Sequence, residues 1–187
     1  MLILASTSPR RKEIMELVGL DFKVVPSTID EKSLVYHGRR LFLPEFLATK
    51  KAEDVFSRNK DDIVIASDTI VICGDDVFGK PIDKEEAKMM LRELSNKTHT
   101  VATGVCIKFK DQTITFTEVT GVTFYPLSEQ DIDEYIATNE PIDKAGAYAI
   151  QGKGAKYIKK IEGDFYTVMG LPISKILHEI NKLGIKY

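Results

Sequence analysis

Apolar positions along the chain follow a strand period in some stretches and a helix period in others. The apolar run LILA at residues 2–5 is typical of a buried strand. A helix is predicted over residues 9–18, because Pro9 suits a first helical position and Gly19 a stop. The same analysis predicts a strand over residues 22–26. Further helices are predicted over residues 44–57, from Asp83 with Glu86 as a capping-box partner, over 129–137 and over 172–183.

Two β-branched stretches extend this pattern. DDIVIASDTIVIC is interrupted by the polar quartet Ala66 to Thr69, which is therefore expected at or just past a strand end. HTVATGVCIKF and TITFTEVTGVTFY flank KDQ, and this arrangement predicts an antiparallel hairpin. Strands alternating with helices, with a hairpin added, predict an α/β fold with a mixed sheet.

Length and composition bound the architecture and the partners. A chain of 187 residues, 43% of them hydrophobic, suits one domain over residues 1–187. We expect a mixed, elongated sheet flanked by helices, with two lobes around a central cleft. The net charge of -2 gives no basic field for a polynucleotide. Cys73 and Cys106 lie in apolar runs without metal-binding spacing, so we expect core thiols. No signal peptide or membrane segment is recognised, so we expect a cytoplasmic protein without membrane partners.

The first candidate site is the loop before the first helix. Arg10 and Arg11 lie in the first helical turn, where cations are unfavourable unless an anion lies beside them. Their guanidinium groups match phosphate oxygens, and Ser6 and Ser8 add donors in the same loop. This stretch is compatible with an anion cradle and equally with a capped surface helix whose arginines are solvated.

Two acidic positions are candidates for metal or proton chemistry. Asp68 follows the apolar run IVIAS, where a carboxylate can hold a divalent metal or accept a proton from water. A turn aspartate that caps local backbone is the alternative. Glu31, next to Asp30 in a polar loop, is the second candidate, and an ordinary exposed pair is the simpler interpretation.

Three more positions complete the candidate set. Lys80 lies in a Gly-Lys-Pro turn that can direct its side chain to a ligand or simply form a surface turn. Lys51, beside Lys50, lies in a helix for which a solvated basic face is favoured. Gln151 lies in AGAYAIQGKGA, where dense glycines suggest backbone close to a ligand and an amide can read a base edge. A tight loop with a surface glutamine is the alternative.

Taken together, these motifs resemble those of the Maf proteins, a family of nucleoside triphosphate pyrophosphatases. The resemblance spans nearly the whole chain and is carried, in the family's order, by LASTSPRRKEI, DE at residues 30–31, ATKKA, IASDTIV, GKP, THTVATGV and DKAGAYAIQGKGA. It implies cleavage of a nucleoside triphosphate between the α and β phosphates, giving the monophosphate and pyrophosphate. AGAYAIQG is similar to the branch that acts on dTTP and UTP.

The resemblance also implies roles for individual residues. Asp68 matches the catalytic proton acceptor, and Arg10, Thr69 and Gln151 match positions that set substrate preference. A divalent metal, Mg or Mn, is implied, with Glu31 and Asp68 as its ligands. Arg10, Arg11, Lys51 and Lys80 would then supply the cations that phosphate chemistry needs, with Ser6 and Ser8 as further substrate-binding groups. Whether Asp68 acts mainly as base or as metal ligand stays open.

Two functions are compatible with these residues. The first is a pyrophosphatase acting on dTTP, UTP or modified pyrimidine nucleotides. The second is a nucleotide-binding regulator of cell division or repair with little turnover. The acidic pair favours the enzyme, because a pure binding module has no evident need for it. The sequence leaves a homodimer open.

Overall fold

The computed structural model describes residues 1–184, and the chain divides into two compact units. Within the described residues, the first unit comprises residues 1–68, 103–118 and 170–184, and the second comprises residues 69–102 and 119–169. Residues 185–187, the end of the expected domain range, lie outside the described part. Two compact units agree with the two expected lobes, whereas the expected cleft stays a prediction.

In the described part of the chain, seven strands form one mixed sheet. The strands are β1 Leu2–Leu4, β2 Phe22–Val24, β3 Ile63–Cys73, β4 Asp76–Phe78, β5 Thr98–Phe109, β6 Gln112–Phe124 and β7 Ile158–Glu162. Their order is β2-β1-β3-β5-β6-β7, and β4 pairs with β3. Parallel pairing joins β1 to β2 and β3, and antiparallel pairing joins β3 to β4 and β6 to β7. The predicted mixed sheet is confirmed.

Of the six helices over residues 1–184, five agree closely with the predicted ones, and the short helix over residues 165–169 has no predicted counterpart. They are α1 Pro9–Leu17, α2 Leu43–Ser57, α3 Lys84–Leu94, α4 Glu129–Ala137, α5 Phe165–Met169 and α6 Ile173–Lys182. Asp83 caps α3 as predicted, since its carboxylate accepts from the Glu86 N–H at 2.8 Å. The Glu86 carboxylate, however, accepts from the N–H of Ile82 rather than of Asp83. None of the helices in this part of the chain is long and apolar enough to cross a membrane.

The first unit has its core where α2 packs on the strands. Ile3 of β1 and Val64 of β3 are buried against Ala48 and Ala52 of α2. Small alanines on this face of α2 allow the helix to lie close to the sheet. Cys106 is buried in the same core as a free thiol, as expected, and burial raises its pKa to about 11.

The second unit is built on the other halves of the long strands. Its core joins apolar residues of α3 and α4 to Val101, Val122 and Phe124. Cys73, the second free thiol, is buried here as expected. The predicted hairpin is confirmed by a turn between Phe109 and Gln112, in which Lys110 has a left-handed backbone with φ of 50°. That turn belongs to the first unit, while the opposite end of the hairpin belongs to the second.

Candidate active site

Asp68 lies in the middle of a strand. The expectation that residues 66–69 mark a strand end is wrong, because β3 continues without interruption to Cys73. The side chain of Asp68 is only 16% exposed, and its charge is balanced by an ion pair with a lysine. A carboxylate with such a partner does not have to end a strand. The alternative of a turn aspartate is excluded.

Lys51 is the partner of Asp68. The Lys51 ammonium lies 2.6 Å from Oδ1 of Asp68 and 3.0 Å from Oε1 of Glu31, and its side chain is 12% exposed. The solvated face favoured for the lysine pair is therefore wrong for Lys51. It is correct for Lys50, which is 39% exposed and pairs with Glu53 along the helix. One helical step separates a site lysine from a surface lysine, because adjacent positions on a helix point in different directions.

A glycine on β5 brings α2 close to the sheet. A Cβ at Gly104 would lie 2.0 Å from the backbone nitrogen of Glu45, in the first turn of α2. The Glu45 carboxylate also accepts from the Thr117 hydroxyl at 2.7 Å. These contacts determine where α2, and with it Lys51, lies over the strands. The sequence places this glycine in a β-rich run and in the motif THTVATGV, but neither indicates its contact with α2.

Arg11 is fixed by hydrogen bonds from its guanidinium group. Its Nε donates to the Gly170 carbonyl at 2.9 Å and its Nη1 donates to the Ser6 hydroxyl at 3.1 Å. Ser6 also accepts from the Ser8 N–H at 3.2 Å, so both serines of the predicted cradle are engaged. The solvated-arginine alternative is wrong for Arg11. Arg10, its half-buried neighbour in α1, adds a second positive charge close to it.

The negative charges of Asp68 and Glu31 act on the guanidinium group of Arg11. Burial lowers the pKa of Arg11, and the negative charges of Asp68 and Glu31 oppose that shift. An arginine stays protonated at neutral pH despite such a shift. The first unit therefore combines cations from α1 and α2 with carboxylates from β3 and from the loop before α2.

The two acidic loop residues have different roles. Asp30 caps a short 3-10 helix, Glu31–Ser33, by accepting from the Lys32 N–H at 3.1 Å. Glu31 instead reaches Lys51, with 48% of its own side chain exposed. Asp54 of α2 holds the loop just before them, since its carboxylate accepts from the Thr28 N–H at 2.8 Å. The position of Glu31 thus depends on α2 as well.

The sequence did not indicate that the Gly170 carbonyl is a shared hydrogen-bond acceptor near Asp68. It accepts from Arg11 and also from the hydroxyl of Ser67, at 2.9 Å in each case. The residue before Asp68 on β3 and the second arginine of α1 are therefore held by one acceptor. Nothing local to Gly170 in the sequence indicates this role, because its partners are 103 and 159 residues away.

The remaining candidates belong to the second unit. Thr69 is the first residue of the second unit and is half-buried. Lys80, after β4, and Gln151, in the glycine-rich stretch, are both exposed. The carbonyl of Gly79, next to Lys80, accepts from the Gly146 N–H at 3.1 Å, so the GKP turn is tied to that stretch. A substrate role for these three residues, shared with the first-unit cluster, stays a prediction.

Metal-ligating groups are sparse in the described residues. No set of three or more His, Cys, Asp or Glu side chains in residues 1–184 is arranged to hold a metal ion. His99 is buried, with its Nε2 2.8 Å from the Tyr148 hydroxyl, and burial lowers its pKa to about 4. Glu31 and Asp68 remain as a carboxylate pair that already shares one cation, the Lys51 ammonium.

Fold and site together define a mixed α/β protein with a charge cluster suited to a phosphate-bearing ligand. The chain belongs to the Maf family, since the family model described as Maf-like protein matches residues 1–183.

Relatives named dTTP/UTP pyrophosphatase cover almost the whole chain. The protein of Bacillus anthracis (strain CDC 684 / NRRL 3495) is 48% identical over 98% of this chain and 96% of its own length. That of Bacillus cereus (strain ATCC 10987 / NRS 248) is 49% identical over 98% of this chain and 90% of its own. Among solved structures, the Staphylococcus aureus Ham1 protein is similar with a TM-score of 0.52. It is 15% identical and the match covers 95% of this chain and 98% of that one, which supports the fold alone.

Proposed function

We propose that this protein hydrolyses nucleoside triphosphates between the α and β phosphates, releasing pyrophosphate, and that dTTP and UTP are its preferred substrates. The observation that carries the proposal is the cluster of Arg11, Lys51, Asp68 and Glu31 in the first unit. Near-full-length relatives named dTTP/UTP pyrophosphatase support the same activity.

The cations of this cluster, Arg11 and Lys51, can donate hydrogen bonds to phosphate oxygens. In phosphoryl transfer the developing charge lies on phosphate oxygens, so catalysis depends largely on positioning and electrostatic stabilisation. Arg11 is already held in place by Gly170 and Ser6, so little conformational freedom is lost when an anion binds. Arg10 and Ser8, on the same turn, and Lys80, in the second unit, are proposed as further phosphate-binding groups.

Asp68 is the proposed acceptor for a proton of the attacking water. A carboxylate has two oxygens, so Asp68 can hold Lys51 through Oδ1 and orient a water through Oδ2. The Lys51 ammonium balances the negative charge of Asp68. It also fixes the orientation of the carboxylate on β3.

The same residues fit a divalent metal. A cation, the Lys51 ammonium, already lies between Glu31 and Asp68, so the pair suits positive charge. Mg²⁺ is commonly held by one or two carboxylates together with substrate phosphates, and a third protein ligand is not required. When bound, Mg or Mn would neutralise charge on the phosphate oxygens. Glu31 and Asp68 are the proposed ligands.

Base selection is assigned to Gln151, with Thr69 and Arg10 as further determinants of substrate preference. An amide has donors and an acceptor and can match O4 and N3–H of thymine or uracil, a pattern that cytosine reverses. An amide against the wrong edge leaves polar groups unpaired at about 1–3 kcal/mol. We therefore expect Gln151→Ala to reduce the UTP to CTP ratio of kcat/KM more than it lowers the rate.

The test is pyrophosphate release from a panel of nucleoside triphosphates, with Mg, Mn or a chelator. We expect UTP and dTTP to be hydrolysed fastest and the chelator to abolish turnover. Nucleotide binding without turnover would instead favour a regulator of division or repair. Equal rates with CTP or ATP would remove the base-reading role of Gln151 and leave the phosphate chemistry in place. Cytoplasmic location and a homodimer stay predictions, to be tested by cell fractionation and sedimentation.

A further inference from the structure

Tyr135 and Glu140, two polar side chains of the second unit, accept hydrogen bonds from the backbone around Gln151. Tyr135, near the end of α4, is only 1% exposed, and its hydroxyl donates to Oε2 of Glu140 at 2.7 Å. Between them the chain reverses at Asn139, whose φ of 59° is left-handed. The turn brings Glu140 back beside the tyrosine that precedes it.

Hydrogen bonds from this pair reach the chain on both sides of Gln151. Before it, the Ala149 N–H donates to the Tyr135 hydroxyl at 3.0 Å. After it, the N–H groups of Lys153 and Gly154 donate to the Glu140 carboxylate at 3.0 and 3.1 Å. The backbone on both sides of the exposed glutamine is therefore fixed by buried Tyr135 and half-buried Glu140.

Two glycines in this stretch are required by these contacts. A Cβ at Gly152 would lie 2.1 Å from Oε1 of Glu140. One at Gly154 would lie 2.6 Å from the Tyr135 hydroxyl and 2.8 Å from the Ala149 carbonyl. The dense glycines of QGKG, a pattern that suggests backbone close to a ligand, here allow the backbone to approach Tyr135 and Glu140.

The charge of Glu140 strengthens these bonds. Burial by itself would raise the pKa of Glu140, but hydrogen bonds from Tyr135, Lys153 and Gly154 and the nearby charge of Lys144 lower it overall. Burial in turn raises the pKa of Tyr135, so its hydroxyl keeps the proton that it donates. Charge-assisted hydrogen bonds are stronger than neutral ones.

We propose that the Tyr135–Glu140 pair is a specificity-determining positioning device for Gln151. The inference rests on the proposed base-reading role of Gln151. Uracil and cytosine present reversed donor and acceptor patterns, so an amide distinguishes them only while it is held against the base edge. A loop free to move would let Gln151 withdraw from that edge, and the discrimination would be lost. The pair therefore acts on discrimination through Gln151, without touching the substrate.

Glu140→Gln and Tyr135→Phe test the proposal. A glutamine at 140 has a single acceptor oxygen for three donors and directs its NH₂ group at one of them. At least one of the hydrogen bonds from Tyr135, Lys153 and Gly154 must therefore be lost. We expect the UTP to CTP ratio of kcat/KM to fall about tenfold, as loss of a hydrogen bond allows. kcat for UTP should stay within about threefold, because the phosphate-binding cluster is unchanged. Tyr135→Phe keeps the ring packing and serves if Glu140→Gln folds poorly.

Tyr157→Phe is the matched control. Tyr157 packs edge-to-face against Tyr135 and is 5% exposed. Its hydroxyl donates to the Asp131 carbonyl at 2.8 Å rather than to the Gln151 loop. We expect its UTP to CTP ratio to stay at the wild-type value. Amide hydrogen exchange at Lys153 and Gly154 should accelerate in Glu140→Gln and not in Tyr157→Phe, whether or not the protein is an enzyme.

A double-mutant cycle with Gln151→Ala separates the proposal from a general structural effect. In the Gln151→Ala background, Glu140→Gln should cause no further fall in the ratio, because the residue through which it acts is absent. An unchanged ratio in Glu140→Gln, or an equal fall without Gln151, would overturn the proposal and leave the pyrophosphatase assignment intact. If the wild-type protein binds nucleotides without turnover, the proposed function fails, and the Kd ratio of UTP and CTP replaces the kinetic one with the same expectations.

Discussion

The two compact units hold their candidate functional residues by different physical means. In the first unit, Arg11, Lys51 and Asp68 lie on regular helices and a strand, and opposite charges hold two of them together. In the second unit, Gln151 lies in a loop whose backbone N–H groups donate to a neutral hydroxyl, that of Tyr135, and to a carboxylate, that of Glu140. Charge attracts a phosphate without reading a base, whereas a fixed amide reads a base edge and adds little charge stabilisation. Substitutions in the first unit should change rate, and those around the loop should change selectivity.

The largest expected effect is at Asp68. We expect Asp68→Asn to lower kcat for UTP by about a hundredfold or more, the usual loss for a general base, while nucleotide affinity falls much less. The amide keeps the shape of the carboxylate but accepts no proton. Steady-state pyrophosphate release and nucleotide binding by calorimetry measure the two quantities. Asp111→Asn, in the exposed β5–β6 turn, controls for loss of a negative charge, and near-normal turnover in Asp68→Asn would remove Asp68 from catalysis.

Gly104→Ala tests whether the first unit depends on the close approach of α2. A Cβ there would meet backbone rather than a movable side chain, so we expect a loss of about 2 kcal/mol in the free energy of unfolding. Activity should fall as well, because Lys51 moves with its helix. Gly121→Ala is the matched control, since its Cβ would meet only ordinary contacts at 3.8 Å in a strand. Equal stability of the two variants, measured by urea unfolding, would argue against this dependence.

Arg11→Lys separates charge from geometry in the first unit. Lysine keeps the positive charge but lacks the guanidinium fork that donates to Gly170 and Ser6. We expect kcat/KM for UTP to fall about tenfold, with the UTP to CTP ratio unchanged. Arg92→Lys removes a comparable fork from an exposed pair with Glu129 and should leave the kinetics at wild-type values. A changed base preference in Arg11→Lys would contradict the assignment of rate to the first unit and of selectivity to the second.

The smallest expected effect is the pH dependence of the contribution that Glu140 makes to the free energy of unfolding. Because the folded-state pKa of Glu140 is lowered, its contribution to stability is present above the ordinary value of 4.5 and is lost as pH falls through the lowered value. Wild-type protein should exceed Glu140→Gln by about 1 kcal/mol at neutral pH. That difference should shrink towards zero in acid, while the Tyr135 hydroxyl, whose pKa is raised by burial, keeps its proton throughout. Urea unfolding of both proteins across this range measures it, and a difference independent of pH would contradict an ionised Glu140.

Sequence patterns predicted the local elements of this protein well. The bounds of α4, the β5–β6 turn and the Asp83 cap agree with the structure, because each depends on neighbouring residues and on period. The motifs also indicated Asp68, Lys51 and Arg11 as candidates, through the side-chain types that phosphate chemistry needs.

Tertiary structure alone decided how those candidates are held. Lys51 pairs with Asp68 whereas Lys50 pairs with Glu53 on the helix surface. Asp68 lies within a strand rather than at its end, and the Gly170 carbonyl accepts from a residue 159 positions away. The glycines of QGKG face Tyr135 and Glu140 rather than open space. Local periodicity reports which face of an element is apolar, but not which distant group that face meets. Contacts between residues far apart in the chain are set by packing of the whole fold, and no single stretch of sequence contains them.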